Sequence, residues 1–478
     1  MLVYVCIAQI YFDFRLIVLK CAKEINVSKM SGGLRIIALG FFLLPFENTF
    51  LAPSSGWPAV SPVIFAVYFI LYGLSNIRWM HLIWMLLLIV ISLIGYFFSL
   101  VFYDGFNRYF VRDVLGAVPS VMLGFSFLVS LLRVSYWGGK FRYEEFSYCL
   151  RMFLAGSITA LLFSLFILVA GHMMQNELTL TLLDFLLKRN RDVERFSFVF
   201  AEPSFVSVHL LGVIVPLWVM AKLLGLEKEA RRLICLLLVY ICLSLLFVSS
   251  ARLYLDILYL GGVWLLFKGQ TVRCADSRAV AGSALAVILG CMLFNVFIAH
   301  PEIVDLLTLG RVNMTNDFRA IISSDASLES RFFRVEAVWE GLRNNPAVLF
   351  FGAGFGNAGQ LVDSGFSVAF QNFRSGFTKE VYEIAAKGSG SNIYNMYLKV
   401  VAEFGVVLLI VAVIKLYSRK SIFLFFVLAW VYLQFDSYAF YGLWIYLVVK
   451  NIIAAQTDST KGLDEEGRNE NSSCCGTV

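Results

Sequence analysis

The chain has 478 residues, of which 59% are hydrophobic and 15% are charged, and its formal net charge is +6. Soluble globular proteins are about half apolar and about a quarter charged, so this composition excludes an ordinary water-soluble enzyme. Only 9 prolines and 9 cysteines occur, which also excludes collagen-like, disordered and disulfide-built chains. Apolar runs of about 20 residues recur, which favours a helical polytopic membrane protein over a barrel of short alternating strands.

These apolar runs predict the membrane topology in chain order. They indicate about twelve transmembrane helices, with approximate bounds 34–50, 59–75, 80–103, 114–132, 150–172, 204–224, 232–249, 252–267, 279–299, 392–414, 421–435 and 438–454. Short connections on one side carry the lysines and arginines, so the positive-inside rule predicts that both termini are cytoplasmic. We therefore expect an N-terminal cytoplasmic or interfacial segment (1–33), a transmembrane domain (34–455) and a disordered cytoplasmic tail (456–478).

The beginning of the chain fits this pattern less well. Segment 2–19 is apolar but contains Asp13 and Arg15, which are costly at the centre of a bilayer. It is expected to be an interfacial helix, an extra span, or residues upstream of a start at Met30. A cleavable signal peptide is disfavoured because no charged region precedes the apolar stretch.

Two predicted outside loops are long, at roughly 173–203 and 300–391, and long loops with helical patterning are usually functional. The smaller loop ends in Glu202-Pro203, where proline suits the first turn of a helix and the helix dipole favours the acid. Glu202 is thus either a helix-start acid or a base at the membrane boundary, close in sequence to Arg195. His209 lies on the same helix face and is expected to hydrogen-bond within the bundle.

The larger loop contains a helical pattern followed by a glycine run. Segment 328–344 has apolar residues near helical spacing, which predicts an amphipathic helix on the membrane surface or over the bundle; they are Leu328, Phe332, Val335, Val338, Trp339 and Leu342. Gly352, Gly354 and Gly356 follow, and their amides suggest an anion-binding nest, with a flexible hinge as the alternative. A slight excess of acids in this loop argues against a nucleic-acid-binding patch.

Arg252 begins a predicted span at the outer surface, where the positive-inside rule supplies no reason for an arginine. It is expected either to pair with Asp256, four residues later, or to bind a phosphate through its guanidinium fork. No zinc-type Cys/His spacing and no Asp-x-Asp pair in an outside loop occur, so neither a metal nor another cofactor is expected. No cysteine lies in a predicted outside loop, so no structural disulfide is expected.

Taken together and in order, these motifs resemble the O-antigen polymerase/ligase superfamily. The resemblance rests on Ser249-Ser250-Ala251-Arg252, Glu329-Ser330-Arg331, the run Phe351–Gly356, and Tyr394-Asn395 ahead of Ala402-Glu403-Phe404-Gly405. Segment Ala201-Glu202-Pro203-Ser204 is similar to the Wzy-type repeat-unit polymerases of this superfamily. Its ligases commonly have a histidine directly before the asparagine of the Tyr394-Asn395 motif, so the tyrosine here favours the polymerase branch.

The resemblance implies a GT-C-like, metal-independent glycosyltransferase of the bacterial inner membrane that polymerises undecaprenyl-pyrophosphate-linked repeat units at the periplasmic face. In this hypothesis Glu202 is the base, and Arg252 and Arg331 bind the leaving pyrophosphate. The implied substrate-binding residues are Arg195, Arg334, Gly352, Gly354, Gly356, Tyr394 and Asn395. The implied partners are lipid-linked glycans, membrane lipids, a chain-length regulator and a flippase. An O-antigen ligase that uses a lipid A core acceptor and a lipid-linked oligosaccharide flippase remain alternatives, although no internal repeat supports a transporter.

Overall fold

The computed structural model describes residues 31–47, 59–74, 79–103, 110–173, 198–200, 203–247, 251–267, 326–372 and 393–473. The chain is mostly helical over these residues. The helices before residue 268 are α1 (Gly32–Leu43), α2 (Ser61–Tyr68), α3 (Trp79–Phe102), α4 (Phe110–Ser135), α5 (Tyr143–Met173), α6 (Pro203–His209), α7 (Val215–Leu223), α8 (Glu227–Phe247) and α9 (Ala251–Leu266). A hairpin of β1 (Tyr136–Trp137) and β2 (Lys140–Phe141) joins α4 to α5.

Two π-helical turns interrupt this first group. The turn Phe69–Gly73 extends α2, and the turn Leu210–Ile214 joins α6 to α7. The later helices are α10 (Ala326–Asn344), α11 (Pro346–Phe351), α12 (Ala358–Asn372), α13 (Met396–Leu416), α14 (Ile422–Gln434) and α15 (Tyr441–Ser473). The helix predicted to start at Pro203 and the one predicted over 328–344 are both present.

Each predicted span coincides with a helix, except 279–299, which lies outside the described residues. Among the described residues, four segments are long and apolar enough to cross a membrane by length and composition: Phe110–Ser135, Tyr143–Ile167, Phe205–Leu223 and Met396–Leu416. This architecture is compatible with an all-α membrane protein. Helix α15 ends at Ser473. The disordered tail expected over 456–478 stays a prediction.

Buried apolar side chains form two main clusters. The larger one joins α1, α2, α4 to α9, α14 and α15 into a bundle. We call the smaller cluster the second core. It lies between α10, α11, α12 and the start of α13, and its members are Phe333, Ala337, Val338, Leu342, Val348, Ala353, Ala358, Leu361, Val362, Ala369, Ile393, Val401 and Ala402.

Small residues decide which face of α10 is buried. A Cβ atom on Gly341 would overlap the Leu361 carbonyl, and one on Gly365 would overlap the Ala337 carbonyl. The close crossing of α10 and α12 therefore needs glycine at both places. Of the predicted apolar face, Val338 and Leu342 are buried and Trp339 is 58% exposed, while the crossing also buries Phe333.

Charged connections gather at one end of the bundle, which we call the basic end: segments 133–147, 222–232 and 415–421. Ser147 Oγ donates to Glu229 Oε1 at 2.8 Å, and Gln456 Nε2 donates to the Leu223 carbonyl at 2.8 Å. Helix α14 begins at the basic end and has 13 residues, so Gln434 lies about 20 Å away from that end. Lys399, in the first turns of α13, contacts Asp436 just beyond α14, so the start of α13 lies at the opposite end. The candidate site lies at the first turn of α13.

Candidate functional site

The first turn of α13 presents an aromatic ring from a constrained backbone. Tyr394 has φ +60°, a left-handed conformation that side chains other than glycine rarely adopt. The next residue, Asn395, caps the helix, because its Oδ1 atom accepts from the Leu398 amide at 3.0 Å. Asn395 was predicted to bind substrate. As the cap residue, it also holds the backbone next to Tyr394 in place.

Two arginines of α10 lie against the Tyr394 ring. The guanidinium carbon Cζ is 5.2 Å from the ring centroid for Arg331 and 4.7 Å for Arg334, within cation–π range. The Nε and Nη1 atoms of Arg334 are buried and have no hydrogen-bond partner among the described residues. We call Arg331, Arg334 and Tyr394 the arginine cluster. Two guanidinium groups that share one ring repel each other, so an anion with several oxygens fits this place.

A buried ion pair lies one turn below Tyr394. Lys399 Nζ donates to the Asp436 carbonyl at 3.2 Å and lies 3.8 Å from Asp436 Oδ2. The same Oδ2 accepts from the Ile393 amide at 2.6 Å. These bonds attach the start of α13 to the connection between α14 and α15. Sequence reasoning missed this pair, although a lysine inside the predicted span 392–414 is itself a signal of a buried partner.

Glu403 lies a further turn into α13 and is fully buried. Its Oε2 atom accepts from the Tyr438 hydroxyl at 2.6 Å, and the Gly356 amide faces the carboxylate. Its Oε1 atom completes no side-chain hydrogen bond in the described part of the chain. Lys399 Nζ lies 5.0 Å from the Tyr438 ring centroid. Lys399 and Glu403, the two buried charged residues of α13, therefore both contact Tyr438. The sequence analysis assigned no role to Glu403 beyond its motif.

The glycine run is a packed turn and does not form the predicted nest. The Ala353 amide donates to the Ala402 carbonyl at 2.7 Å, and the Gly354 amide donates to the Glu403 carbonyl at 3.0 Å. Gly352, Gly354 and Gly356 all have positive φ. The Gly352 amide donates to the Val348 carbonyl of α11, and the Gly354 and Gly356 amides are engaged by Glu403 of α13. These contacts also exclude a free hinge at this turn.

Helix α3 covers the other side of this turn. The Tyr96 hydroxyl donates to the Phe355 carbonyl, and Asn357 Nδ2 donates to Ser99 Oγ at 2.9 Å. A Cβ atom on Gly354 would overlap the Tyr96 ring. Gly352 therefore lets α13 approach the turn, Gly354 lets α3 approach it, and Gly356 leaves space for Val114 of α4.

Replacing Tyr438 by Phe is expected to lower the free energy of unfolding by about 1–3 kcal/mol, because Glu403 would lose its hydroxyl donor while staying buried. Thermal unfolding of the purified chain in detergent measures this effect. Replacing the exposed Tyr143 by Phe is the matched control and should change the melting temperature little. Equal melting temperatures for both variants would contradict a structural role for the bond.

Of the remaining predicted residues, Arg195 and Glu202 lie outside the described part of the chain. Arg252 lies in the first turn of α9, and Asp256, one turn later, is buried. The Asp256 carboxylate accepts hydrogen bonds at 2.5–2.9 Å from Ser207, Trp430 and Gln434. The structure thus brings together Arg331, Arg334, Tyr394 and Asn395 from the predicted set.

His209 departs from its expected role. It is fully buried, and neither ring nitrogen makes a hydrogen bond within the part of the chain that the structure describes. Its Nδ1 atom lies 3.7 Å from Glu47 Oε1, and its ring centroid lies 5.0 Å from that of Phe200. The contacts around this histidine are therefore aromatic, with one buried acid nearby.

No known protein family, curated protein or solved structure matches the chain. Within the described ranges, no group of three His, Cys, Asp or Glu side chains is placed to hold a metal ion.

Proposed function

We propose that this chain is a membrane glycosyltransferase of the Wzy type, which polymerises repeat units linked to undecaprenyl pyrophosphate. The observation that carries the proposal is the arginine cluster, in which Arg334 has two buried nitrogens without a partner among the described residues. A pyrophosphate leaving group bears several negative oxygens, and guanidinium forks match such oxygens in pairs. The apolar helices around the site suit a substrate anchored by a polyprenyl chain.

The proposed reaction is a glycosyl transfer. A hydroxyl of the incoming repeat unit attacks the anomeric carbon of the growing glycan, and the bond from that carbon to the pyrophosphate oxygen breaks. The base takes the hydroxyl proton, and undecaprenyl pyrophosphate leaves with the bonding electrons. Arg331 and Arg334 stabilise the charge that develops on the leaving oxygen. We assign the base to Glu202 and further phosphate contacts to Arg252 and Arg195.

The buried groups beneath the cluster support this role by keeping it rigid. The pair Lys399–Asp436 and the Asn395 cap hold the backbone that puts Tyr394 into its left-handed conformation. Electrostatic stabilisation is strongest when the donors are in place before charge develops. A fixed ring in contact with both arginines meets this requirement.

Replacing Glu202 by Gln is expected to abolish chain lengthening while single lipid-linked units accumulate, because the amide cannot take the acceptor proton. The measurement is a gel of the products formed by purified enzyme from lipid-linked repeat units. Replacing the exposed Glu227 by Gln is the control and should leave elongation unchanged. Normal long chains from the Glu202→Gln variant would remove Glu202 as the base.

The same assay separates the alternatives. A polymerase elongates lipid-linked units supplied alone, whereas a ligase transfers nothing without its lipid A core acceptor. A flippase moves the units between leaflets of a vesicle and leaves their length unchanged. Elongation in the absence of any other acceptor is the result that we expect.

A further inference from the structure

A cavity of about 280 Å³ opens at the basic end, at the opposite end of the bundle from the arginine cluster. Its wall contains Gly32 and Gly33 at the start of α1. It also contains Tyr68 at the end of α2 and Tyr72 in the π-helical turn that follows. Arg133 of α4 and Glu145 of α5, which form an ion pair, complete this part of the wall. The proposed glycosyl transfer uses none of these residues. The cavity therefore requires a separate explanation.

The charges around this cavity do not cancel. Arg133 Nη1 binds Glu145 Oε2 at 2.8 Å, and Arg142 Nη1 binds Glu145 Oε1 at 2.7 Å. One carboxylate is thus shared by two guanidinium groups, of which Arg133 lines the cavity and Arg142 lies behind Glu145, so this group of three has one excess positive charge. Arg133 is 26% exposed, and each guanidinium has five N–H donors, so it keeps donors that these bonds do not use. The wall can accept an anion without breaking the ion pair.

The other polar groups of the wall are also suited to an anion. Gly32 and Gly33 occupy the first turn of α1, where amides have no partner within their own helix and the helix dipole is positive. A Cβ atom would lie 3.3 Å from the Tyr72 hydroxyl if placed on Gly32, and 3.2 Å from the Tyr68 ring if placed on Gly33. The two rings, which stack at 5.8 Å, thus approach the helix start closely.

Apolar side chains continue from the cavity along the outside of the bundle. Ile70, Leu71 and Leu74 flank Tyr72 in the sequence and are 64%, 61% and 55% exposed. An anion bound beside Tyr72 would therefore have an apolar surface next to it. This combination matches a lipid, in which acyl chains adjoin a charged headgroup, better than it matches a free ion.

We propose that this cavity binds the phosphate of an anionic phospholipid, with Arg133 as the main charged ligand and the α1 amides as additional donors. The acyl chains lie along the exposed apolar side chains after Tyr68. The sequence predicts that the basic end faces the cytoplasm, so the lipid would come from that leaflet.

Native mass spectrometry of the full chain in detergent tests the proposal, with phosphatidylglycerol, phosphatidylcholine and inorganic phosphate as separate probes. Phosphatidylglycerol is expected to bind at least about tenfold more tightly than phosphatidylcholine, and Arg133→Gln should remove that preference. Lys222→Gln is the matched control, because Lys222 lies at the same end in an ion pair with Glu227 and should leave the preference intact. Equal binding of both lipids by the native chain would overturn the proposal. Arg133-dependent binding of inorganic phosphate without lipid preference would assign the site to the free ion and also overturn it.

A second variant separates ligand binding from a purely structural ion pair. Glu145→Gln leaves both arginines without their carboxylate, so it should tighten phosphatidylglycerol binding by about threefold or more while it lowers thermal stability. A structural ion pair alone predicts lower stability with unchanged lipid affinity. That result would overturn the proposal even if Arg133→Gln failed to fold.

Discussion

Replacing Arg334 by Gln is expected to reduce glycan elongation by at least about a hundred-fold, the loss typical of removing one donor from a charge-stabilising site. The reason is that Arg334 faces Tyr394 with buried nitrogens that have no hydrogen-bond partner among the described residues, so a bound anion can satisfy them. Arg334→Lys should also fail, because a lysine keeps the charge and loses the planar fork. The measurement is the rate of elongation of lipid-linked repeat units by the purified enzyme.

Arg343→Gln is the matched control for this prediction. Arg343 lies on the same helix, is 74% exposed on its side chain and pairs with Glu340 at 3.7 Å. Its replacement should leave elongation within about twofold of the native rate, since exposed ion pairs contribute little. If both variants lost the same fraction of elongation activity, α10 would be sensitive to any change of charge. That result would contradict a specific role for Arg334.

Two substitutions of Tyr394 test the role of its ring in the same elongation assay. Tyr394→Phe keeps the aromatic face under both guanidinium groups and should retain most activity. Tyr394→Leu removes the face and should reduce elongation while the chain still folds. Full activity of the leucine variant would mean that the ring does not organise the arginines.

Replacing Gly405 by Ala is expected to lower the free energy of unfolding by more than about 3 kcal/mol, since a left-handed backbone alone costs a side chain about 1–3 kcal/mol. Gly405 has φ +83° inside α13, and a Cβ atom there would overlap the Phe350 carbonyl. The neighbouring helix end cannot move away, because the Ala353 and Gly354 amides are bonded to α13. Thermal unfolding and size-exclusion chromatography in detergent would record the loss.

Gly261→Ala is the control for this substitution. Gly261 lies in α9 with a normal helical backbone, and a Cβ atom there meets nothing within 4 Å. Alanine in a helix interior should be neutral or stabilising by about 0.5–1 kcal/mol. An unchanged melting temperature for Gly405→Ala would contradict the kink in α13 and the packing of the glycine turn against it.

The local elements of this fold follow from the sequence because their causes are local. Apolar length predicts the helices, and Pro203 predicts the start of α6, as the structure shows. The helix over 328–344 follows from spacing, but its buried face does not. That face depends on Gly341 meeting Gly365 of another helix, a contact that periodicity within one segment cannot reveal.

In the candidate site, too, some features follow from the local sequence and others depend on contacts between helices. Its arginines and the Tyr394-Asn395 motif stand out in the sequence, since charged residues are rare in so apolar a chain. The ion pair Lys399–Asp436 and the bond from Tyr438 to Glu403 join residues from different helices and connections. A pairing of this kind depends on how helices dock, so it has no local signature.

By itself, the sequence determined that this protein is a set of apolar helices with few charges, because the length and periodicity of apolar runs set local structure. The family resemblance of its motifs also implied roles for Arg331, Arg334 and Tyr394. Only the tertiary structure decided that the two arginines share one ring and that the glycine amides bind α11 and α13 in place of an anion. Both outcomes depend on contacts between distant segments, where packing and hydrogen-bond satisfaction select one arrangement from many.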